Sequence, residues 1–331
     1  MLSARLGGAG PAVAVIGLGC MAMSGVYGPA EDAEGIATIR AALEAGITLL
    51  DTGDFYGAGH NELLLREALK GGRRGQAVIS LKFGPLRTPD GGFGGIDARP
   101  EALRNFLTYS LTRLGTDYVD IYRPARLDPA VPIEETVGAI SDLVRAGYVR
   151  HIGLSEVGPE TIRRAQAVHP ITDVQLEYSL MSRGIESAIL PLCRALGIAV
   201  TAYGVLSRGL IGGEIPQHAA GDMRAARMPR FQGENLAQNL ALVAALRRIA
   251  DRYGVSPAQL AIAWVLSRGT DIVALIGMRR RGRLPEALAA AELSLDAATL
   301  AEIEAAIPAE AVAGTRYDSA QMAHLDSERP A

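Results

Sequence analysis

Apolar residues recur along this chain with two alternating periods. Short β-rich runs ending in a polar residue or glycine predict eight strands. They are VAVIGLG (13–19), ITLLD (47–51), AVISLK (77–82), DYVDIY (117–122), VRHIGLS (149–155), TDVQLEY (172–178), GIAVTAY (197–203) and DIVALIG (271–277). Between them, segments such as AEGIATIRAALEAG, ARPEALRNFLTYSLTRLG and PIEETVGAISDLVRAG place apolar residues three and four apart and end in glycine, as amphipathic helices do. Ser256 and Pro257 open a further helix, SPAQLAIAWVLSR, as N-cap and first helical residue. Strands and helices alternating over this length predict an α/β fold, a closed (β/α)8 TIM barrel rather than an open sheet. Two helical segments precede the last strand and two follow it, which adds a pair to the basic eight. Residues 204–234 are rich in Gly, Arg and Pro and predict a long loop after strand 7, of the kind that forms lids or binding loops. One domain over 1–331 accounts for the whole chain, with a core at about 4–306 and a polar, weakly specified tail at about 310–331.

Composition narrows the function. The chain has 331 residues, 49% hydrophobic and 21% charged, enough to bury a large core. A formal net charge of -3 disfavours a grip on nucleic acid or anionic lipid, which needs a basic face, so a small molecule is the expected partner. Cys20 and Cys193 are the two cysteines and lack metal-ligand spacing, so neither a disulfide framework nor a zinc site is expected, and a reducing cytoplasm fits. The apolar N-terminus, MLSARLGGAGPAVAVIGLGCMAM, is interrupted by glycine and proline and reads as a turn followed by a buried strand. No run reaches the roughly 20 uninterrupted apolar residues of a membrane span.

In such a barrel the C-terminal strand ends converge on one face, which makes polar strand-end residues the candidates for chemistry. Asp51 ends the second strand, Tyr56 follows in DTGDFYGAGHNE, and Lys82 ends the third in ISLKFG. A buried Asp and Lys at adjacent strand ends would pair, and a phenol beside the ammonium is expected to have its pKa lowered toward the range of a general acid. Each residue alone has an ordinary explanation as cap, solvated cation or packing; their appearance at successive strand ends argues for a site.

DTGDFYGAGHNE followed by ISLKFG resembles the Asp, Tyr and Lys segments of the aldo-keto reductases, and VRHIGLSEV, DVQLEYSL and AYGVLSRGLI continue the pattern from about residue 4 to 306. The resemblance implies an NADPH-dependent oxidoreductase in which Tyr56 donates a proton to a carbonyl oxygen, Lys82 and Asp51 tune it, and nicotinamide supplies hydride. It also implies that Ser155, Glu156 and Gln175 bind the nicotinamide carboxamide and that Tyr203 stacks on its ring. Gly19, Cys20 and Met21 would line the cofactor, and Leu206, Ser207 and Gly209 in the small-residue loop LSRGLIGGE would let backbone amides approach the pyrophosphate. After the last strand, Gly277 and the run GMRRRGRLPEAL place Arg279, Arg280, Arg281 and Arg283 where barrels commonly bind phosphate; Arg279 and Arg283 are the expected 2′-phosphate ligands. Glu286 matches the adenine-contacting acid, but Ala287 replaces the usual Asn. Met23, Val26, Tyr27, Phe83 and Ala125 are expected near the substrate.

One departure is chemical. Where the fourth strand of the family presents its catalytic His, this chain reads IYRPARLDP, which puts Ala125 there. Alanine cannot donate a hydrogen bond to a carbonyl oxygen. Arg123 and Arg126 are the nearest cations, and both are expected in ordinary ion pairs. Gly17, Gly19 and Ala22 satisfy a dinucleotide fingerprint, but Gly25, Gly28 and Pro29 occupy the first turns of the helix that a Rossmann domain would need. GLSEVG misses the nucleophile-elbow spacing, so a hydrolase is not expected. Two alternatives stay open: an NADPH-binding sensor or regulatory subunit with little turnover, like the potassium-channel β-subunits of this superfamily, and a reductase acting on pyridoxal.

Overall fold

The computed structural model describes residues 2–213 and 222–329. Eight parallel strands close a barrel in sequence order: β1 (Ile16–Gly19), β2 (Leu49–Gly53), β3 (Val78–Phe83), β4 (Val119–Pro124), β5 (Val149–Ser155), β6 (Ile171–Glu177), β7 (Ala199–Tyr203) and β8 (Ile272–Gly277). All eight expected strands are present; β2, β3 and β4 are displaced by one or two residues toward the C-terminal mouth, β6 by one residue the other way, and the other four end where expected. Around them lie α1 (Asp32–Glu44), α2 (His60–Ala68), α3 (Pro100–Leu114), α4 (Ile133–Arg145), α5 (Pro159–Val168) and α6 (Ile189–Leu196). Four more follow: α7 (Gly233–Tyr253) and α8 (Pro257–Ser267) before β8, and α9 (Leu284–Ala290) and α10 (Ala297–Ala306) after it. The expected extra pair is therefore there, with α10 packed on α7. Ser256 caps α8 as the sequence signals, in a reciprocal capping box with Gln259.

The N-terminal run is not one strand. Ser3–Arg5 and Ala12–Ala14 form an antiparallel hairpin that seals the bottom of the barrel, and β1 begins only at Ile16. The hairpin packs Leu6 and Val13 against Leu49, Ile121, Ala199 and Val273 from inside the barrel. Its turn is tight enough that a Cβ at Gly10 would lie 1.8 Å from Leu6 O. Periodicity alone could not separate the two strands, because both are buried and apolar.

The barrel interior carries a polar layer. Arg123 of β4, fully buried, forms two hydrogen bonds to Asp173 of β6, at 2.9 and 3.0 Å. It also donates to Ser80 Oγ at 3.0 Å and Leu154 O at 3.2 Å. Gly153 makes room for the guanidinium, whose carbon would lie 2.9 Å from a Cβ there. Arg123 is thus an inter-element ion pair, as expected.

Residues 204–234 hold a turn at Ser207–Gly209, a short helix at Met223–Arg227 and a turn at Pro229–Phe231; 214–221 lie outside the described residues. The segment after 308 differs from the weakly specified tail expected of it. Arg316 is buried between Glu156 and Glu177, and Asp326 accepts from Gly158 N at 2.8 Å and Thr161 Oγ1 at 2.7 Å at the start of α5. Among the described residues, no helix is long and apolar enough to cross a membrane and no cluster of three His, Cys, Asp or Glu could hold a metal. Both cysteines are buried thiols.

Candidate active site

The parallel register pairs Asp51 with Ser80 and Gly53 with Lys82, which brings the ends of β2 and β3 together. Lys82 Nζ forms an ion pair with Asp51 Oδ1. Asp51 Oδ2 accepts from Ser80 Oγ at 2.9 Å and, across the barrel, from Gln175 Nε2 at 2.7 Å. Tyr56 sits in the turn after β2, buried, with the Lys82 ammonium 5.3 Å from its ring centroid. Asn61 holds this turn: its carboxamide accepts from Thr52 Oγ1 at 2.7 Å and donates to Cys20 O at 2.9 Å and Ser24 Oγ at 2.8 Å. Asp51, Tyr56 and Lys82 therefore come together.

The expected electrostatics do not follow. Burial, then the Asp51 carboxylate, hold the Tyr56 phenol well above its ordinary range, with Arg126 pulling the other way. Burial lowers Lys82 itself, and its charge is committed to Asp51. The phenol is thus protonated at neutral pH, and Arg126 offsets only part of the rise.

Four non-glycine residues have left-handed backbone among those described: Ala58 (φ 51), Glu156 (φ 54), Ser207 (φ 49) and Arg208 (φ 57). All lie in turns beyond the C-terminal ends of strands β2, β5 and β7. Such strain costs on the order of 1–3 kcal/mol per residue and gathers where function fixes the backbone.

The remaining expected ligands divide. Gly19 faces Gly277 across the β1–β8 pair, and a Cβ on Gly277 would meet nothing within 4 Å. Tyr203 ends β7, its hydroxyl 3.1 Å from that of Tyr317. Leu206, Ser207 and Gly209 form the turn beyond it, and Ser155 is buried at the end of β5. Met21 is half-buried in the turn after β1. Arg279 reaches Tyr27 O at 3.3 Å, Arg281 is engaged by Glu34, and Arg283 lies 3.3 Å from Glu286, which also accepts from Ser256 Oγ at 2.6 Å.

Several residues stand elsewhere than expected. Glu156 accepts from Arg316 at 3.1 and 2.8 Å, from the Glu177 amide at 2.9 Å and from Ser327 Oγ at 2.5 Å, which occupies both oxygens and leaves little for a carboxamide. Burial alone would raise its pKa; Arg316 reverses this and holds it ionised far below the usual range. Gln175 donates one amide N–H to Asp51. Cys20 is buried, with its amide donated to Asp51 O at 3.0 Å and its thiol pushed up by burial. Met23 and Phe83 are core: Met23 packs toward Gly35, and the Phe83 ring stacks on Tyr122 at 4.3 Å. Tyr27 does reach the mouth, 3.4 Å from Arg208 Nη1 and beneath the Arg224 guanidinium at 4.9 Å. Ala125 is buried beside the site, and no side-chain donor exists there.

Sequence reading missed Arg208, Arg316 and Tyr317, and it expected Arg126 in an ordinary ion pair, whereas Arg126 donates to Ala125 O at 2.7 Å and to the Tyr317 hydroxyl at 3.3 Å. Arg316 and Tyr317 stand in GTRYDS, where an aromatic beside an arginine in a polar tail was the one available signal.

A carboxyl pair underlies the Tyr56 turn. Asp54 is pushed up to about 7 by burial and by Glu62, whose Oε1 is buried without a hydrogen-bond partner. A carboxyl with a raised folded-state pKa binds its proton more tightly in the fold. Stability is therefore lost as pH rises from about 4, its unfolded value, to about 7. Asp54→Asn is expected to raise Tm at pH 8 by a few degrees, for a recovered ~1–2 kcal/mol after solvent screening, with a smaller gain at pH 5. Equal shifts at both pH values would show that the carboxyl is not held neutral.

Comparison with known proteins places these features in a wider set. Residues 15–308 match the sequence model of the aldo/keto reductase family. A probable aldo-keto reductase 1 from Glycine max is 43% identical over 95% of this chain and 91% of that protein. Among solved structures, a glycerol dehydrogenase from Gluconobacter oxydans superposes with a TM-score of 0.82 at 29% identity, covering 93% of this chain and 96% of that one. An aldo/keto reductase from Klebsiella pneumoniae, solved with NADP and acetate, gives a TM-score of 0.74 at 26% identity over 96% of this chain and 99% of that one.

Proposed function

Because the chain belongs to the aldo/keto reductase family, and is thus an oxidoreductase of carbonyl compounds, we propose that it uses NADPH to reduce an aldehyde or ketone with Tyr56 as general acid. The observation that carries this reading is the buried Asp51–Lys82 pair set against the Tyr56 ring at the barrel mouth.

The mouth has features that fit the cofactor. Side-chain-free Gly19 and Gly277 face each other at the end of the β1–β8 pair, with open space where a Cβ on Gly277 would stand, and exposed arginines follow directly. Tyr203, the Leu206–Gly209 turn, Arg279 and Arg283 would hold it; Cys20 and Glu156 act from behind the site rather than by side-chain contact. When bound, NADPH supplies hydride to the carbonyl carbon. This chain's residues do the rest: Tyr56 holds a proton at its oxygen for the carbonyl oxygen, and Asp51, with Ser80 and Gln175 bonded to it, fixes Lys82 under the phenol.

If Arg279 and Arg283 bind the 2′-phosphate, replacing both by Ala is expected to erode the preference for NADPH over NADH by roughly 2–4 kcal/mol. Nucleotide fluorescence titration reads this, and unchanged discrimination removes the assignment. A second reading, an NADPH-binding sensor with little turnover, draws on Ala125 and on the tail that crosses the strand ends through Arg316 and Tyr317. A carbonyl panel that includes pyridoxal separates the two. Turnover lost in Tyr56→Phe supports the reductase, and nucleotide binding without turnover supports the sensor.

A further inference from the structure

Tyr317, in the C-terminal segment, has its hydroxyl 3.1 Å from that of Tyr203 and 3.3 Å from Arg126 Nη2. Its ring is surrounded by cations: the guanidinium carbons of Arg208, Arg126 and Arg316 lie 4.5, 5.8 and 5.8 Å from the ring centroid. Arg126 also turns back on its neighbour, donating from Nη1 to Ala125 O at 2.7 Å. That bond sets the guanidinium against the one position where the family pattern puts a donor and this chain has none.

An arginine has no acceptor, so the Tyr317 oxygen must accept from Arg126. The phenolic proton is then available to Tyr203 or to a ligand. Tyr203 ends β7 at the mouth, and Ala125 N donates to Phe83 O at 2.9 Å, next along β3 from the Lys82 that lies against the Tyr56 ring, so Arg126 and Tyr317 stand at the same end of the barrel as Asp51, Tyr56 and Lys82.

We propose that Tyr317 is the second hydrogen-bond donor to the substrate's carbonyl oxygen, and that Arg126 is the positioning residue that polarises it, the two together replacing the donor absent at Ala125. The assignment builds on the reductase reading above. In the reaction the Tyr56 O–H bond breaks and its proton goes to the carbonyl oxygen, while hydride brings two electrons and forms the C–H bond. The C=O π pair ends in the new O–H bond. Tyr317 keeps its proton throughout and lowers the barrier only by stabilising charge on that oxygen.

The charges facing Tyr317 support the direction. Burial opposes its ionisation, as do Glu177 and Glu156, but Arg208 and Arg126 outweigh them and lower its pKa. Tyr203 beside it is raised, by burial and by Glu156, so Tyr317 is the stronger donor of the two.

Two measurements test the proposal. The first needs no nucleotide: ultraviolet titration of tyrosinate absorbance in the parent protein, Tyr317→Phe and Arg126→Met. One phenol is expected to ionise below the ordinary value of ~10, to vanish in Tyr317→Phe, and to move up by about one pH unit in Arg126→Met. The second is steady-state reduction of a small aldehyde. Tyr317→Phe keeps the ring and is expected to lower kcat by about 10²-fold, with NADPH affinity and KM changed less than about threefold. Ala125→His in that background should recover at least roughly 10-fold. Turnover in the parent with unchanged kcat in Tyr317→Phe overturns this assignment alone, as does the absence of an early-titrating phenol. A loss seen in NADPH affinity instead of kcat makes Tyr317 a cofactor strap and overturns it too. No turnover in the parent overturns both this assignment and the reductase reading.

Discussion

Tyr56→Phe is expected to lower kcat for carbonyl reduction by about 10²–10⁴-fold, the usual contribution of a positioned general acid, while NADPH binding stays within about twofold. The variant removes one oxygen and leaves the ring packed beside Phe55 and above Lys82. Because burial and Asp51 hold this phenol above its ordinary range, it remains protonated through neutral and mildly alkaline pH. Its proton transfer is still favourable, since an alkoxide formed by hydride addition is a far stronger base than a phenolate. It follows that kcat should not fall through loss of this proton between about pH 6 and 9. A variant within about threefold of the parent would take the acid role from Tyr56, with Tyr317 the next phenol to examine.

The largest stability effect is expected below the site. Asp173→Ala leaves the Arg123 guanidinium buried in the barrel without its carboxylate, and breaking such a pair from one side typically costs about 3–5 kcal/mol. The fall in Tm should be on the order of 10 °C. Removing both charges, as in Arg123→Met with Asp173→Leu, should cost less than the single change, because desolvating an unpaired ion is the dominant penalty. Ser80 and Thr201, which also bond to this pair, would each lose one hydrogen bond to a charged partner, Ser80 from Arg123 and Thr201 to Asp173. Thermal or urea unfolding of the two variants decides the point, and a double variant less stable than the single one would mean that the polar layer is worth more than the desolvation it requires.

The two effects illustrate what was legible at each level. The alternation of β-rich runs and helical stretches located all eight barrel strands, because every strand is buried and each must be followed by an amphipathic crossover. Asp51, Tyr56 and Lys82 were legible for the same reason: strand-end residues of adjacent parallel strands are brought together by register, which follows from strand position. The split between the hairpin strand Ala12–Ala14 and β1 was not, since both halves carry the same apolar pattern. Phe83 and Met23 were placed at the mouth by proximity in sequence, whereas their rotation toward the helices puts them in the core.

By itself, then, the sequence determined the barrel, its two additional helices and the meeting of a carboxylate, a phenol and an ammonium at one end of it. Only the tertiary structure decided the direction of the phenol's pKa shift, the engagement of Glu156 and the role of the last segment. These depend on partners such as Arg316, 160 residues from Glu156. Local periodicity reports which face of an element is buried, but it carries no information about which distant charge will be buried against it. That choice is made when the chain closes, by the need to pair each desolvated ion with an opposite one.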